Sequence, residues 1–420
     1  MPDYQPPKGM KDIAPEEMER RKWIYSIIRH VLDSYNYREI SPTELEMWET
    51  LAAKAGDDNL NEVYDFKDKA GRRLALRFDL TCGIARMVAN MRIPKPIKIY
   101  SIGNSWRYDA PQKGRYRSFT QWDIELFGTD STDADAEIIT MSCEILNRLG
   151  IDYEVRINDR KLVETLFSYL KIDRKLYPDV MRVVDKIPKL EKQAICREFE
   201  KAGITRPTSE LLLKILGRKG NAKKLIASLR DEFKDFRQIT DSTNALEQLF
   251  AKLESCGLKN RCVLDLSIVR GIGYYTGIVF EAFDRKAENL GSLFAGGRFD
   301  GLVGLYGKED MPAVGVGGGM ERLIESLESN KAFEKVPRPK SVFIAKVSDS
   351  VSDYALRVAA VLRKEYMAEL DITGKSLKKQ FDYANKKQFS HIAVVGEKEK
   401  ESKTFILRDM QTGKERKVRL

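Results

Sequence analysis

At 420 residues the chain is too long for one hydrophobic core and is expected to divide into two or three domains. Its hydrophobic fraction of 42% is that of an ordinary globular protein, and no apolar run approaches the length that spans a bilayer, so a soluble protein is expected. The net charge of +10 favours a polyanionic partner such as nucleic acid, although a basic surface also serves solubility. There are two histidines, His30 and His391, and they fall in different predicted domains. A His-based triad or a two-histidine metal site is therefore close to excluded, and both rings read as structural. The cysteines at 82, 143, 196, 256 and 262 are odd in number and lack Cys-x-x-Cys spacing, which points to reduced thiols in a cytosolic enzyme. The amino terminus, Met1-Pro-Asp-Tyr-Gln-Pro-Pro7, has neither the basic nor the apolar region of a signal peptide, so export is not expected.

Pro15, followed by Glu16 and Glu17, starts a helix predicted over 15–36. Ile24, Ile27, Ile28, Val31, Leu32 and Tyr35 give it one broad apolar face, packed either on the chain's own sheet or against a second subunit. Pro42 confines Arg38-Glu-Ile-Ser-Pro42 to a strand end or sheet edge. Residues 63–68 and 74–79 read as strands joined by a turn around Gly71, and a helix-like stretch from Cys82 to Met91 follows. A second hairpin pairs 97–108 with 117–127, leaving Asp109 to Tyr116 as a long basic loop. Hairpins with few crossovers imply an antiparallel sheet and argue against a doubly wound nucleotide-binding fold.

The character then changes to charged amphipathic helices such as Leu211-Leu-Leu-Lys-Ile-Leu216 and Ala245-Leu-Glu-Gln-Leu-Phe250, and strands resume at Val263. This block reads as an inserted helical domain. The expected division is a first catalytic part over 1–159, the insertion over 160–257, a second catalytic part over 258–328, a polar proline-bearing linker over 329–340 and a last domain over 341–420. In that domain Val342–Ala345, a helix over 351–365, Ala368–Ile372, a helix over 375–387 and Ile392–Val395 alternate, as in a small α/β fold. Lys398 to Lys403 reads as a solvated turn. The fold class is α+β.

Arg107 through Glu125 puts three arginines, a lysine, Phe119 and the carboxylate of Glu125 into one hairpin. Arginines neutralise phosphate oxygens, an aromatic ring can lie against a base, and a carboxylate at the end of an alternating strand can read a cationic or NH-bearing ligand. Arg270-Gly-Ile-Gly-Tyr-Tyr-Thr-Gly277 and Pro312-Ala-Val-Gly-Val-Gly-Gly-Gly-Met-Glu-Arg322 each bring one more arginine among glycines. Together the three runs suggest one site assembled from distant segments. The glycines from Gly315 fit a dinucleotide fingerprint poorly and read as strand-on-helix packing unless Arg322 also faces the site.

These segments resemble the class II aminoacyl-tRNA synthetases. Ile40-Ser-Pro-Thr-Glu-Leu-Glu46 is similar to their first motif, Arg107–Glu125 to the second and Pro312–Arg322 to the third. Arg270–Gly277 and Gly296-Gly-Arg-Phe-Asp-Gly-Leu-Val303 resemble segments that mark the histidine-specific branch. Lys375-Ser-Leu-Lys-Lys-Gln-Phe-Asp-Tyr-Ala384 and Val395-Gly-Glu397 resemble its anticodon-binding domain, so the likeness covers essentially the whole chain.

The resemblance implies a histidine–tRNA ligase that converts histidine and ATP to histidyl-adenylate and pyrophosphate, then transfers histidine to the 3′ end of tRNA(His). Such chemistry needs no protein nucleophile or base, because the substrate carboxylate is already ionised. The enzyme brings two anions together and stabilises the charge of the transition state. By resemblance Arg107 serves the α-phosphate and the substrate carboxylate, Arg115 and Arg322 the distal phosphates, Phe119 one face of adenine, and Asp109 belongs to the ATP site. Arg270 supplies a fixed charge at the α-phosphate. The histidine pocket follows from Asp79, Thr81, Gln121, Glu125, Arg270, Tyr274 and Tyr275, with Asp79 and Gln121 at the ammonium and Glu125 and Tyr275 at the ring nitrogens. Magnesium is expected to arrive with ATP, with no protein ligand assigned. A cytoplasmic homodimer joined through the first motif is implied, with no membrane partner.

Gly273 stands where the family usually has aspartate, Phe299 where it has tyrosine, and Ala110 where an arginine often contacts the tRNA acceptor end. Two other readings are a catalytically reduced paralogue that senses histidine or binds uncharged tRNA, and a synthetase for proline, threonine or glycine. The first is disfavoured by the presence of Arg107, Arg115, Arg270, Arg322 and the last domain. The Arg-Gly-x-x-Tyr-Tyr segment and the lack of a zinc-ligand cluster disfavour the second.

Overall fold

The computed structural model describes residues 4–53, 60–112, 114–270, 275–336 and 340–420. The chain divides into two units, Met1–Glu334 and Lys335–Leu420. Among the described residues the first unit is organised by a nine-stranded sheet. Its strand order is β1 (Arg38–Glu39), β5 (Ile97–Trp106), β6 (Ser118–Phe127), β12 (Ala313–Gly319), β11 (Ser292–Arg298), β10 (Ile278–Asp284), β7 (Tyr153–Asp159), β9 (Cys262–Asp265) and β8 (Lys219–Gly220). From β5 to β7 every neighbour is antiparallel. β1 runs parallel to β5 at the edge, where Pro42 ends the extended stretch.

β9 pairs parallel with β7, and a parallel pair requires a crossover. The helices between residues 160 and 255 supply it. They share their core with the sheet, since one hydrophobic cluster runs from Trp122 and Ile124 through Ile138 and Ile145 to Leu246, Leu249 and Leu253. The helix predicted over 15–36 spans Pro15–Ser34 and ends shortly before Asn36, which has a positive φ. Ile24, Ile28, Val31 and Leu32 are buried in the same cluster, so its apolar face is covered within its own unit.

Successive side chains of a strand alternate between the two faces of its sheet. On β6, Trp122, Ile124 and Leu126 enter the large cluster. Phe119, Gln121, Asp123 and Glu125 consequently share the opposite face. Val314 and Val316 of β12 likewise face the cluster, and Gly315 and Gly317 face the other way.

A three-stranded antiparallel sheet, β2 (Leu45–Met47), β4 (Arg73–Leu76) and β3 (Asp65–Lys67), stands beside the first. Its strands are shorter than the predicted 63–68 and 74–79. After Leu76 the chain turns into the helix Thr81–Val88, whose Cys82 N–H is accepted by Asp79 Oδ1 at 3.2 Å. The turn at Gly71 has φ +81°, a conformation that favours glycine.

The second unit contains a five-stranded sheet in the order β14 (Met367–Leu370), β13 (Ser341–Lys346), β15 (His391–Val395), β16 (Thr404–Asp409) and β17 (Glu415–Arg419). The first three strands are parallel, with helices Ser352–Leu362 and Leu377–Lys386 as crossovers. β16 and β17 add an antiparallel hairpin that periodicity did not reveal. β17 reads Glu-Arg-Lys-Val-Arg because an edge strand is protected by charge, and that charge hides the strand signal. Lys398–Lys403 is a second correction: Glu397–Ser402 is a helix, and Gly396 N–H donates to Glu399 Oε2 at 3.0 Å. Among the described residues no helix is long and apolar enough to cross a membrane.

Candidate active site

The open face of the sheet carries two adjoining cavities. One, of about 60 Å³, is lined by Asp79, Thr81, Gln121, Asp123, Glu125, Tyr275 and Phe299, and by Gly315 and Gly317. The glycines are needed for space. A Cβ on Gly315 would lie 1.9 Å from Glu125 Oε2, and one on Gly317 would lie 2.7 Å from Asp123 Oδ1. Two carboxylates thus occupy room that β12 leaves by having no side chains there.

Asp79, Asp123 and Glu125 are all buried. Thr81 Oγ1 donates to Glu125 Oε1 at 3.0 Å, and Asp79 Oδ1 is taken by the helix start. Asp79 Oδ2, Gln121 Oε1, Asp123 Oδ1 and Glu125 Oε2 are buried and make no hydrogen bond within the protein. Burial raises the Asp79 carboxyl above its ordinary range, and Arg107 opposes it. Burial and then the charge of Asp79 push Asp123 well up, against Arg107 and Arg77. Glu125 is likewise raised, by burial first and by Asp123 next. A buried acceptor without a donor costs roughly 1–3 kcal/mol. The cavity therefore suits a small cationic ligand bearing several N–H groups.

The second cavity, of about 240 Å³, is lined by Arg107, Asp109, Arg115, Phe119, Arg270, Ser292 and Arg322, with Gly317, Gly318 and Gly319 behind them. The Arg322 guanidinium is pushed down by burial first and then by Arg115, with Arg270 and Arg107 adding to the effect and Glu281 opposing it. Four arginines held this close repel one another and favour a polyanion between them. Each is oriented by the fold. Arg107 donates to Phe78 O at 2.9 Å with its guanidinium 5.2 Å from the Phe119 ring centre, and Arg322 donates to Ser292 O at 2.8 Å. Arg115 is paired with Asp109, and Arg270 with Glu281. The helix that carries Arg322 is tied to β6 through Glu321, which accepts from Thr120 N–H at 3.2 Å and pairs with buried Arg21 at 3.0 Å.

The two cavities share Arg107, Gln121, Arg270, Ala295 and Gly317. Two guanidinium groups therefore stand where an acid-lined pocket meets an arginine-lined one.

Asp79, Thr81, Gln121, Glu125 and Tyr275 lie in the smaller cavity, Asp109, Arg115, Phe119 and Arg322 in the larger, and Arg107 and Arg270 at their junction. Tyr274 and Gly273 lie outside the described residues. Arg322 does face the site, so the glycine run serves more than helix packing. Arg298 of the Gly-Gly-Arg-Phe-Asp segment turns away from both cavities and pairs with buried Asp135 at 2.9 Å. Phe299 forms pocket wall, edge-on to Phe127 with ring centres 6.0 Å apart. Sequence reasoning missed Asp123 and Glu281. Asp123 was within reach, because it lies two residues from both Gln121 and Glu125 on an alternating strand. Glu281 carries no local signal and is found only through its ion pair.

The chain resembles known proteins along its whole length. A family model described as histidyl-tRNA synthetase matches residues 9–323, and one described as anticodon-binding domain matches residues 341–420. The chain is 34% identical over 417 residues to a histidine–tRNA ligase of Pyrococcus furiosus, covering 98% of this chain and 96% of that protein. It is 36% identical over 423 residues to one of Pyrobaculum islandicum, covering 99% and 96%. The crystal structure of histidyl-tRNA synthetase from Nostoc sp. PCC 7120 superimposes with a TM-score of 0.86 at 26% identity, covering 100% of this chain and 97% of that one. Agreement along nearly the whole chain, in sequence and in fold, has one meaning: the chain belongs to the histidyl-tRNA synthetase family.

Proposed function

We propose that in this histidine–tRNA ligase the smaller cavity takes histidine, the larger takes ATP, and the reaction occurs at their junction. One observation carries this reading: four buried acceptor atoms without donors line a pocket whose mouth is formed by Arg107 and Arg270. A histidine zwitterion with a neutral ring offers four N–H groups, three on the ammonium and one on the imidazole. Glu125, its other oxygen held by Thr81, accepts the ring N–H, and Tyr275 donates to the second ring nitrogen. Asp79 and Gln121 accept from the ammonium. A substrate without the ring N–H leaves Glu125 buried and unpaired, which is how the pocket rejects it.

This pose brings the substrate carboxylate to Arg107 and Arg270, beside the α-phosphate of ATP. A carboxylate oxygen attacks the α-phosphorus while the bond to the pyrophosphate oxygen breaks. Both guanidinium groups stabilise the charge that spreads over the phosphoryl oxygens. Arg115 and Arg322 hold the distal phosphates, Asp109 orients Arg115, and Phe119 lies against adenine. Magnesium enters with the nucleotide and neutralises its phosphates. Among the described residues no group of three His, Cys, Asp or Glu side chains is arranged to hold a metal. In the second step a hydroxyl of the terminal ribose of tRNA attacks the adenylate carbonyl, and AMP leaves. The second unit reads the anticodon arm.

The working form is a homodimer in the cytoplasm. Leu45, Met47 and Phe66 of the three-stranded sheet are each more than 40% exposed, and Leu74 and Leu76 lie on the same face by register. The opposite face, with Glu46 and Ala75, is buried beside Leu51, Phe78 and Cys82. An apolar patch at the first motif suits the same patch on a second copy. The five cysteines are free thiols, as a reducing compartment requires.

Amino-acid-dependent exchange of pyrophosphate into ATP, with each amino acid in turn, tests the reading. Histidine alone should support rapid exchange. Preference for another amino acid would overturn it.

A further inference from the structure

The ligand pose above leaves one N–H of the ammonium without an acceptor, and one buried acceptor, Asp123 Oδ1, without a donor. Asp123 is 2% exposed and sits between Gln121 and Glu125 on the site face of β6. Its position along the pocket can be read from the glycines of β12. Glu125 Oε2 lies over Gly315, which borders the smaller cavity alone. Asp123 Oδ1 lies over Gly317, which borders both cavities, as do Gln121, Arg107 and Arg270. The free oxygen of Asp123 is therefore at the end of the pocket that receives the ammonium and carboxylate, away from the end that reads the ring. Asp79 and Arg107 are among the charged groups that act on it most, and Arg77 acts on it less strongly. Two carboxylates that act on each other in this way are unfavourable together unless a cation joins them.

We propose that Asp123 is a specificity-determining residue that accepts the third N–H of the substrate's α-ammonium, completing a three-acceptor cradle with Asp79 and Gln121. The inference rests on reading the smaller cavity as the amino-acid site. It explains why an enclosed strand carries a second carboxylate two residues from Glu125, and why β12 has no side chain at 317. It also gives the pocket a way to refuse imidazole-bearing compounds that lack the ammonium, since such a ligand leaves two carboxylates and an amide oxygen unpaired.

Equilibrium binding to the full chain decides the matter, with L-histidine and 3-(imidazol-4-yl)propanoate as probes. They differ only in the ammonium. Asp123→Asn keeps the shape and removes the charge and one acceptor, so histidine affinity should fall about 10- to 100-fold, the scale of one hydrogen bond to a charged group. Affinity for the propanoate should stay within about twofold, because it makes no bond to this residue. Equal losses for both ligands would make Asp123 a structural acid and overturn the proposal, as would undiminished histidine binding. If the Asn variant fails to fold, judged by lost ATP binding, Asp123→Ser is read by the same two criteria. Histidine binding by the unaltered protein tests the underlying reading separately. Should another amino acid bind instead, the same comparison with its own desamino acid still decides Asp123, because the ammonium is common to both.

Discussion

Gly315→Ala should disable histidine recognition without removing any polar group from the pocket. Gly315 lies opposite Glu125 in the β6–β12 register, and the added methyl would stand 1.9 Å from Oε2 and 2.7 Å from Cδ of that side chain. Ordinary contact begins near 3.4 Å, so the carboxylate has to retreat by about 1.5 Å. It cannot retreat freely, being 1% exposed and held by Thr81 through its other oxygen. Overpacking of this kind costs about 1–3 kcal/mol of stability. The displaced carboxylate loses its bond to the ring N–H, and a misplacement of about 1 Å is worth roughly 10²-fold in activity. The KM for histidine in pyrophosphate exchange should rise about 10²-fold while the KM for ATP changes little. Gly319→Ala is the control, since a Cβ there meets nothing within 4 Å. An unchanged histidine KM in a folded Gly315→Ala protein would refute the placement of Glu125 at the substrate ring.

Arg270→Ala should lower the single-turnover rate of adenylate formation by about 10²–10³-fold, as for loss of one preorganised donor, with a smaller effect on histidine binding. Collapse of binding with an intact rate in the saturated enzyme would remove Arg270 from the transition state. A truncation ending at Glu334, the last residue of the first unit, should still make histidyl-adenylate but charge tRNA poorly, and its tRNA affinity should depend less steeply on salt. Charging at the full rate by the truncated chain would show that the second unit does not select tRNA. Met47→Glu, on the exposed apolar face of the three-stranded sheet, should shift the protein toward monomers in sedimentation. A variant that sedimented as the parent does would place any subunit contact elsewhere.

Much of the site was legible because β6 obeys the two-residue alternation of a strand, which puts Phe119, Gln121 and Glu125 on one face whatever their surroundings. The 3.6-residue period likewise marked the helix Pro15–Ser34, and its burial pattern follows from that period alone. Local rules of this kind need only near neighbours in the chain. They gave no access to quantities set by distant segments. β4 ends at Leu76, ahead of the turn in which Asp79 takes the Cys82 N–H of the next helix, and β17 is a strand only because β16 lies beside it. The fate of Arg298, turned to Asp135, and the pairing of Arg270 with Glu281 required the strands to be laid side by side. So did the role of the glycines, since the space that Gly315 and Gly317 leave has meaning only once β6 fills it with carboxylates. The sequence by itself determined which side chains could form the site. Tertiary structure decided which of them were buried without partners, because desolvation depends on what packs around a group and not on its place in the chain.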